Sequence, residues 1–189
     1  IYKSDYQVIE LHSKIFNKLI IIFEMIVFKH ETKSDEEGIE NLLDIVFSPS
    51  RINLSSYSLR KKVPKVKTLC FVAKNTDGTI IGVIRYWPVL IGEKKQISLL
   101  IGPIAIHPTF QGEGLGAYLI NHSIKISKKY GWKRAILIGD IGYYKSFGFF
   151  KQNENNIEFP PPTDSKRILL LELEHNSFKG VKGKVVKFC

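Results

Sequence analysis

Cysteine is scarce, methionine occurs once, and acidic residues fall short of basic ones. The cysteines are Cys70 and Cys189. Cys70 sits in an apolar run, Leu69-Cys70-Phe71-Val72-Ala73, and reads as a small buried hydrophobe on a strand. Neither cysteine has a partner at metal-ligand spacing, so the pattern offers no disulfide framework and no metal site. Such a composition suits a reducing compartment, and a cytoplasmic protein is expected. Long hydrophobic runs are also missing. Residues 19–28 are apolar except for Glu24, far short of the roughly 20 residues that a membrane span needs. Lys14 and Lys18 resemble the charged start of a secretory leader. Glu24 breaks the run, however, and Lys29-His30-Glu31 stands where small cleavage-site residues belong.

The shortage of acids leaves a net charge of +10, which favours anionic partners. No basic run is interleaved with aromatics, so nucleic acid gains nothing over a small phosphorylated ligand. Lys125, Lys128 and Lys129, and Lys179, Lys182, Lys184 and Lys187, read as solvated surface. What is present suits one folded domain: 189 residues, 44% of them hydrophobic, are enough for a single sizeable core.

The elements follow from periodicity and turn chemistry. A strand is expected over 26–30, with residues 1–25 an extension outside the folded domain. Thr32 offers an N-cap, and Ile39, Leu42, Leu43 and Val46 fall at helical spacing up to Pro49. Residues 48–67 are polar and basic, include Arg60-Lys61-Lys62, and read as helix or loop. Strands over 69–74 and 79–87 flank the hairpin turn Asn75-Thr76-Asp77-Gly78. Pro88 is expected to interrupt or edge the second strand. A third strand over 97–106 carries Gly102-Pro103, the signature of a bulge or splayed edge. A helix is expected over 117–130, with Leu115, Leu119, Ile126 and Tyr130 on one face. A buried strand at 135–138, one or two helical turns at 143–147, and a strand over 167–174 complete a mixed α/β (α+β) domain.

Between the third strand and the long helix lies Gln111-Gly112-Glu113-Gly114-Leu115-Gly116. Such a turn converges backbone amides at a helix N-terminus and suits an anion. It is not a P-loop, because no Gly-Lys-Ser/Thr follows. It is not a dinucleotide fingerprint, because the third glycine comes too early.

With its neighbours the turn is more specific. The run from Gly102-Pro103-Ile104-Ala105-Ile106-His107-Pro108 to Gly116 resembles the central motif of GNAT acetyltransferases, and Tyr143-Tyr144-Lys145-Ser146-Phe147-Gly148-Phe149 resembles that family's Tyr-x-x-x-Gly-Phe segment. Together with Gly139-Asp140, the combination is most similar to a bacterial branch with mostly undefined substrates. The resemblance implies a GNAT domain over 26–175 followed by a basic tail over 176–189. Its mostly antiparallel sheet would be splayed at the acyl-CoA site and flanked by helices. The activity implied is transfer of an acetyl group from acetyl-CoA to an amine-bearing small molecule or peptide, by a monomer or homodimer away from any membrane. Backbone around Gln111, Gly112, Glu113, Gly114, Leu115, Gly116 and Ala117 would hold the pyrophosphate. Ile104, Ala105 and Ile106 would pair with the pantetheine arm. Glu113 departs from the basic residue often found there.

The resemblance gives Tyr144, four residues before Gly148, the role of acid to the departing thiolate. An amide near Ile106 would bind the oxyanion. For the base, Asp140, Glu93, His107 and a water relay stay open. Arg85, Tyr86 and Trp87 read as pocket lining or as core packing. The basic residues of 48–67 would suit an acceptor with an acidic group. A non-catalytic acyl-CoA sensor is the alternative function, and a nucleic-acid binder a third.

Overall fold

The frame is a mixed sheet of strand order β1-β2-β3-β4-β5-β8-β6. It was derived from a computed structural model that describes residues 26–152 and 156–188. The expected extension over 1–25 lies outside those residues. The strands are β1 (Val27–His30), β2 (Phe71–Lys74), β3 (Ile80–Ile91), β4 (Gln96–Ile106), β5 (Arg134–Ile138), β6 (Phe150–Lys151), β7 (Ile157–Glu158), β8 (Ile168–Glu172) and β9 (Gly183–Lys187). The helices are α1 (Glu36–Phe47), α2 (Ser55–Arg60), α3 (Leu115–Lys129) and the single turn α4 (Ile141–Tyr144). Neighbours along the main path are antiparallel except β4 and β5, which run parallel. This is the α/β arrangement expected, a mixed sheet flanked by helices.

Two irregularities in β4 position everything that follows. Ile84 faces Ile104 but Tyr86 faces Ile101, so β4 carries one extra residue beside Gly102-Pro103. On its other side β4 pairs with β5 only through Leu99 with Ala135 and Leu100 with Ile136. Beyond Leu100 the two strands part, leaving a wedge between 101–106 and 137–138.

α1 buries Ile39, Leu42 and Leu43 against Val72, Val83 and Ala105. Its entry is fixed by Asp35, whose Oδ2 accepts from Thr32 N at 2.9 Å and Thr32 Oγ1 at 2.7 Å. Its Oδ1 meets Lys74 Nζ at 2.5 Å. Burial works to raise the Asp35 pKa, but Lys74 and Thr32 outweigh it and hold it at about 2. A carboxylate held that low stabilises the fold above the usual carboxylate range, and the gain disappears as pH falls from about 4 towards 2, about 2 kcal/mol in all. Asp35→Asn should therefore lower the melting temperature at pH 7. It should also flatten the stability curve between pH 4 and 2, which thermal unfolding at several pH values would reveal.

α3 begins at Leu115, two residues before the expected start, so the glycine turn leads straight into its first turn. Its buried stripe is Leu115, Leu119, Ile120, Ser123 and Ser127, whereas Tyr130, expected on that face, is 60% exposed. Ser123 brings α3 close to the sheet through a 2.7 Å bond to the buried Tyr86 hydroxyl. β3 does not stop at Pro88. The residue falls between the stretches of β3 that pair with β2 and with β9, where no ladder bond is asked of a proline nitrogen. The sequence predicts a tail over 176–189; instead β9 pairs with Val89, Leu90 and Ile91, and Phe178, Val181 and Val185 are buried. Its apolar residues are spaced among lysines, which hides the strand from a reading of charge.

Candidate active site

The wedge between β4 and β5 opens into a cavity of about 230 Å³. Its walls are Gly102, Pro103 and Ile104 from β4, Gly139 and Asp140 after β5, Tyr144 from α4, and Tyr57 and Arg60 from α2. Antiparallel alternation fixes which backbone groups face the opening. His107 N donates to Ile81 O at 2.8 Å, so His107 and Ala105 turn their peptide groups to β3, and Ile104 and Ile106 turn theirs away from it. Gln111 Nε2 donates to the outward Ile106 carbonyl at 3.0 Å, tying the glycine turn to the end of β4. Ala105 is thus the exception among the expected contacts. Its backbone belongs to β3, and its side chain is buried beneath α1.

In the turn, Gly112 and Gly114 adopt φ of 83° and 80°, values that disfavour any side chain. A Cβ added at either would meet nothing, so their backbone faces open space. The first α3 bond runs from Tyr118 N to Gly114 O at 2.9 Å, leaving the N–H groups of Leu115, Gly116 and Ala117 to an outside acceptor. The Leu115 side chain is buried, so only its backbone is offered. Turn and wedge therefore form one continuous edge: an anion cradle, two outward peptide units, then a cavity. That geometry fits a phosphorylated ligand with an extended arm.

Tyr143 and Tyr144 diverge. The Tyr144 ring packs over Gly139, where an added methyl would collide with it, and lines the cavity. Burial raises its pKa to about 12, with Tyr143 adding and Arg167 opposing, so at neutral pH it is a proton donor. Tyr143 is half exposed and points the other way, its hydroxyl 2.8 Å from where a Gly116 Cβ would stand. The need for glycine at 139 is legible only once the tyrosine ring is placed.

The candidate bases separate as well. Asp140 borders the cavity, and its Oδ1 accepts from Gly142 N at 2.7 Å, capping α4. Glu93 lies in the β3–β4 turn, about 20 Å from Gly102 by strand rise. His107 Nδ1 accepts from Thr109 N at 3.3 Å and caps a single turn. Arg85, Tyr86 and Trp87 are framework. Arg85 bonds Glu31 at 2.8 and 3.0 Å and Glu40 at 2.8 Å. Glu40 in turn accepts from Arg51 at 2.6 Å, and Arg51 also pairs with Asp44. This network ties residues 48–60 to β1, α1 and β3, and so holds the α2 wall of the cavity in place. His122 stacks on Tyr118 and meets the edge of Phe71.

The sequence profile of the acetyltransferase (GNAT) family matches residues 37–149. The uncharacterized N-acetyltransferase YhbS of Escherichia coli is 24% identical over 155 residues, covering 82% of this chain and 92% of YhbS. The crystal structure of that protein in complex with CoA superposes with a TM-score of 0.74 at 22% identity, over 87% of this chain and 90% of the other. A GNAT acetyltransferase from Brucella melitensis, in complex with acetyl-CoA, gives a TM-score of 0.56 at 26% identity, over 82% and 98%. Among the described residues no helix is long and apolar enough to cross a membrane. The glycine turn and the parted strands fall inside the matched segment, and the chain belongs to the GNAT acetyltransferase family.

Proposed function

We propose that this protein transfers an acetyl group from acetyl-CoA to an amine by direct attack in a ternary complex. The observation that carries the reading is the continuity of the cradle at 111–117 with the wedge and its partly buried tyrosine. Pyrophosphate would lie against the amides of Gly112, Gly114, Leu115, Gly116 and Ala117, and the pantetheine arm would pair with Ile104 and Ile106. The outward N–H nearest the cavity, that of Ile104, would donate to the oxyanion, while Ile106 lies at the glycine-turn end of the same edge. Tyr144 would give its proton, or a hydrogen bond, to the sulfur as the thioester breaks. Asp140 at the cavity rim would take the proton of the amine, directly or through water.

Direct transfer is favoured because Cys70 offers no nucleophile. It is 1% exposed, and burial raises its thiol pKa to about 11. A protonated tyrosine in the cavity favours catalysis over passive sensing of acyl-CoA. The paired tyrosines before Phe147-Gly148-Phe149 support assignment to a bacterial branch with mostly undefined substrates. The test is thiol release from acetyl-CoA across amines, amino acids and peptides. Amine-dependent release with an acetylated product, identified by mass, is expected. Tight acetyl-CoA binding with no turnover of any amine would favour the sensor.

A further inference from the structure

The α2 wall of the cavity holds a cation, Arg60, that has no ion-pair partner among the described residues. Arg60 lies over the rings of Tyr57, at 4.8 Å, and Trp87, at 4.9 Å. Its Nε and Nη1 are sealed from solvent and, among the described residues, make no hydrogen bond, nor does the buried Tyr57 hydroxyl beside them. Its Nη2 reaches toward the cavity, 3.6 Å from where a Gly102 Cβ would stand. Burial pulls the guanidinium pKa down to about 10, with Arg85 adding to the effect and Tyr57 opposing it. It is therefore still charged at neutral pH.

An unpaired buried charge is costly, and such groups are matched by a counter-ion or coordinated. The other charges on the cavity wall do not supply one. Arg51 is a cation already committed to Glu40 and Asp44. Arg167 adds a further positive charge at the rim, and Asp140, whose Oδ1 accepts from Gly142 N, forms no ion pair with Arg60 among the described residues. An acetyl thioester is neutral, and the phosphates of CoA would sit at the glycine turn. The missing anion falls to the acceptor. A plain amine or polyamine would bring more positive charge into this field and be repelled. An acceptor with an anionic group would be held by Arg60, while the same field lowers the pKa of its ammonium and favours the neutral nucleophile.

We infer that the acceptor carries a carboxylate near its reactive amine and that Arg60 binds it, which makes the substrate class amino acids or related amino-carboxylates. The inference rests on the acetyl-transfer reading above. A carboxylate is preferred to a phosphate because a single nitrogen, Nη2, is turned to the cavity, which suits one charge-assisted bond to a singly charged group. The cavity of about 230 Å³ is also below the roughly 300–1,000 Å³ of drug-sized pockets.

Thiol release would be followed for amino acids against their amides, and for β-alanine against 2-aminoethylphosphonate. Wild type should prefer each amino acid to its amide by about 10- to 100-fold in kcat/KM, the worth of a charge-assisted bond, and should turn over β-alanine better than the phosphonate. Arg60→Met should bring that ratio close to one, and Arg60→Lys should fall between. Better turnover of amides, diamines or the phosphonate would overturn the inference, as would equal loss on acid and amide in Arg60→Met. Thermal unfolding checks that each variant folds. A second readout needs no turnover. With Trp132→Phe, Trp87 is the remaining tryptophan. Its fluorescence, with and without CoA, should respond saturably to propionate at constant ionic strength and lose that response in Arg60→Met. A flat titration in both states counts against the site. Failure of acetyl-CoA to bind the wild type, measured separately by calorimetry, would instead overturn the transferase reading.

Discussion

Tyr144→Phe is expected to lower kcat by roughly 10²–10⁴-fold, the usual worth of a general acid, and to move KM for acetyl-CoA far less. The ring seat over Gly139 is kept, so only the hydroxyl is tested. Because burial raises its pKa to about 12, the phenol stays protonated across the working range. Any alkaline limb of kcat below about pH 10 must then come from another group, and it should survive in the phenylalanine variant. Tyr143→Phe is the control. Its hydroxyl faces the glycine turn, so its loss should act on KM more than on kcat and be much the milder change. A larger kcat loss at Tyr143 would show that the register of the two tyrosines is misassigned.

Gly114→Val should abolish measurable acetyl-CoA binding, a loss of about 100-fold or more. Two effects combine. At φ of 80° a β-branched residue is strained by about 1–2 kcal/mol or more. Its side chain would also project into the open space where the phosphates must approach. Gly131→Val separates the two. That glycine has φ of 75° and equal room but lies at the far end of α3, so it should lower stability without touching affinity. Calorimetry and thermal unfolding on both variants read the outcome. Equal affinity in Gly114→Val and wild type would remove the turn from the site.

Much of this was legible before the structure because it is written in local chemistry. Glycines that need positive φ, a Gly-Pro pair inside a strand, and the spacing of Ile39, Leu42 and Leu43 each act within a few residues. What was hidden depends on partners far along the chain. β9 reads as a charged tail until β3 is there to pair with it. Arg85 could line a pocket or tie the core, and only Glu31 and Glu40 settle which. Arg60 was visible as one of three basic residues, Arg60-Lys61-Lys62. Nothing in that run marks it as the one laid over Trp87 at the cavity. Ala105 sits in the matched motif, yet strand alternation gives its peptide to β3, a distinction that needs the register.

The central claim is that acetyl-CoA lies along the outward edge of β4 with its phosphates at the start of α3. An amide NMR titration with acetyl-CoA tests it most directly. The account predicts saturable shifts, at affinities in the region of typical enzyme KM values of about 1 μM to 1 mM. They should concentrate at Ile104, Ile106, residues 112–117 and Tyr144. Shifts centred instead on the β3–β4 turn around Glu93, or no shifts at millimolar ligand, would contradict it.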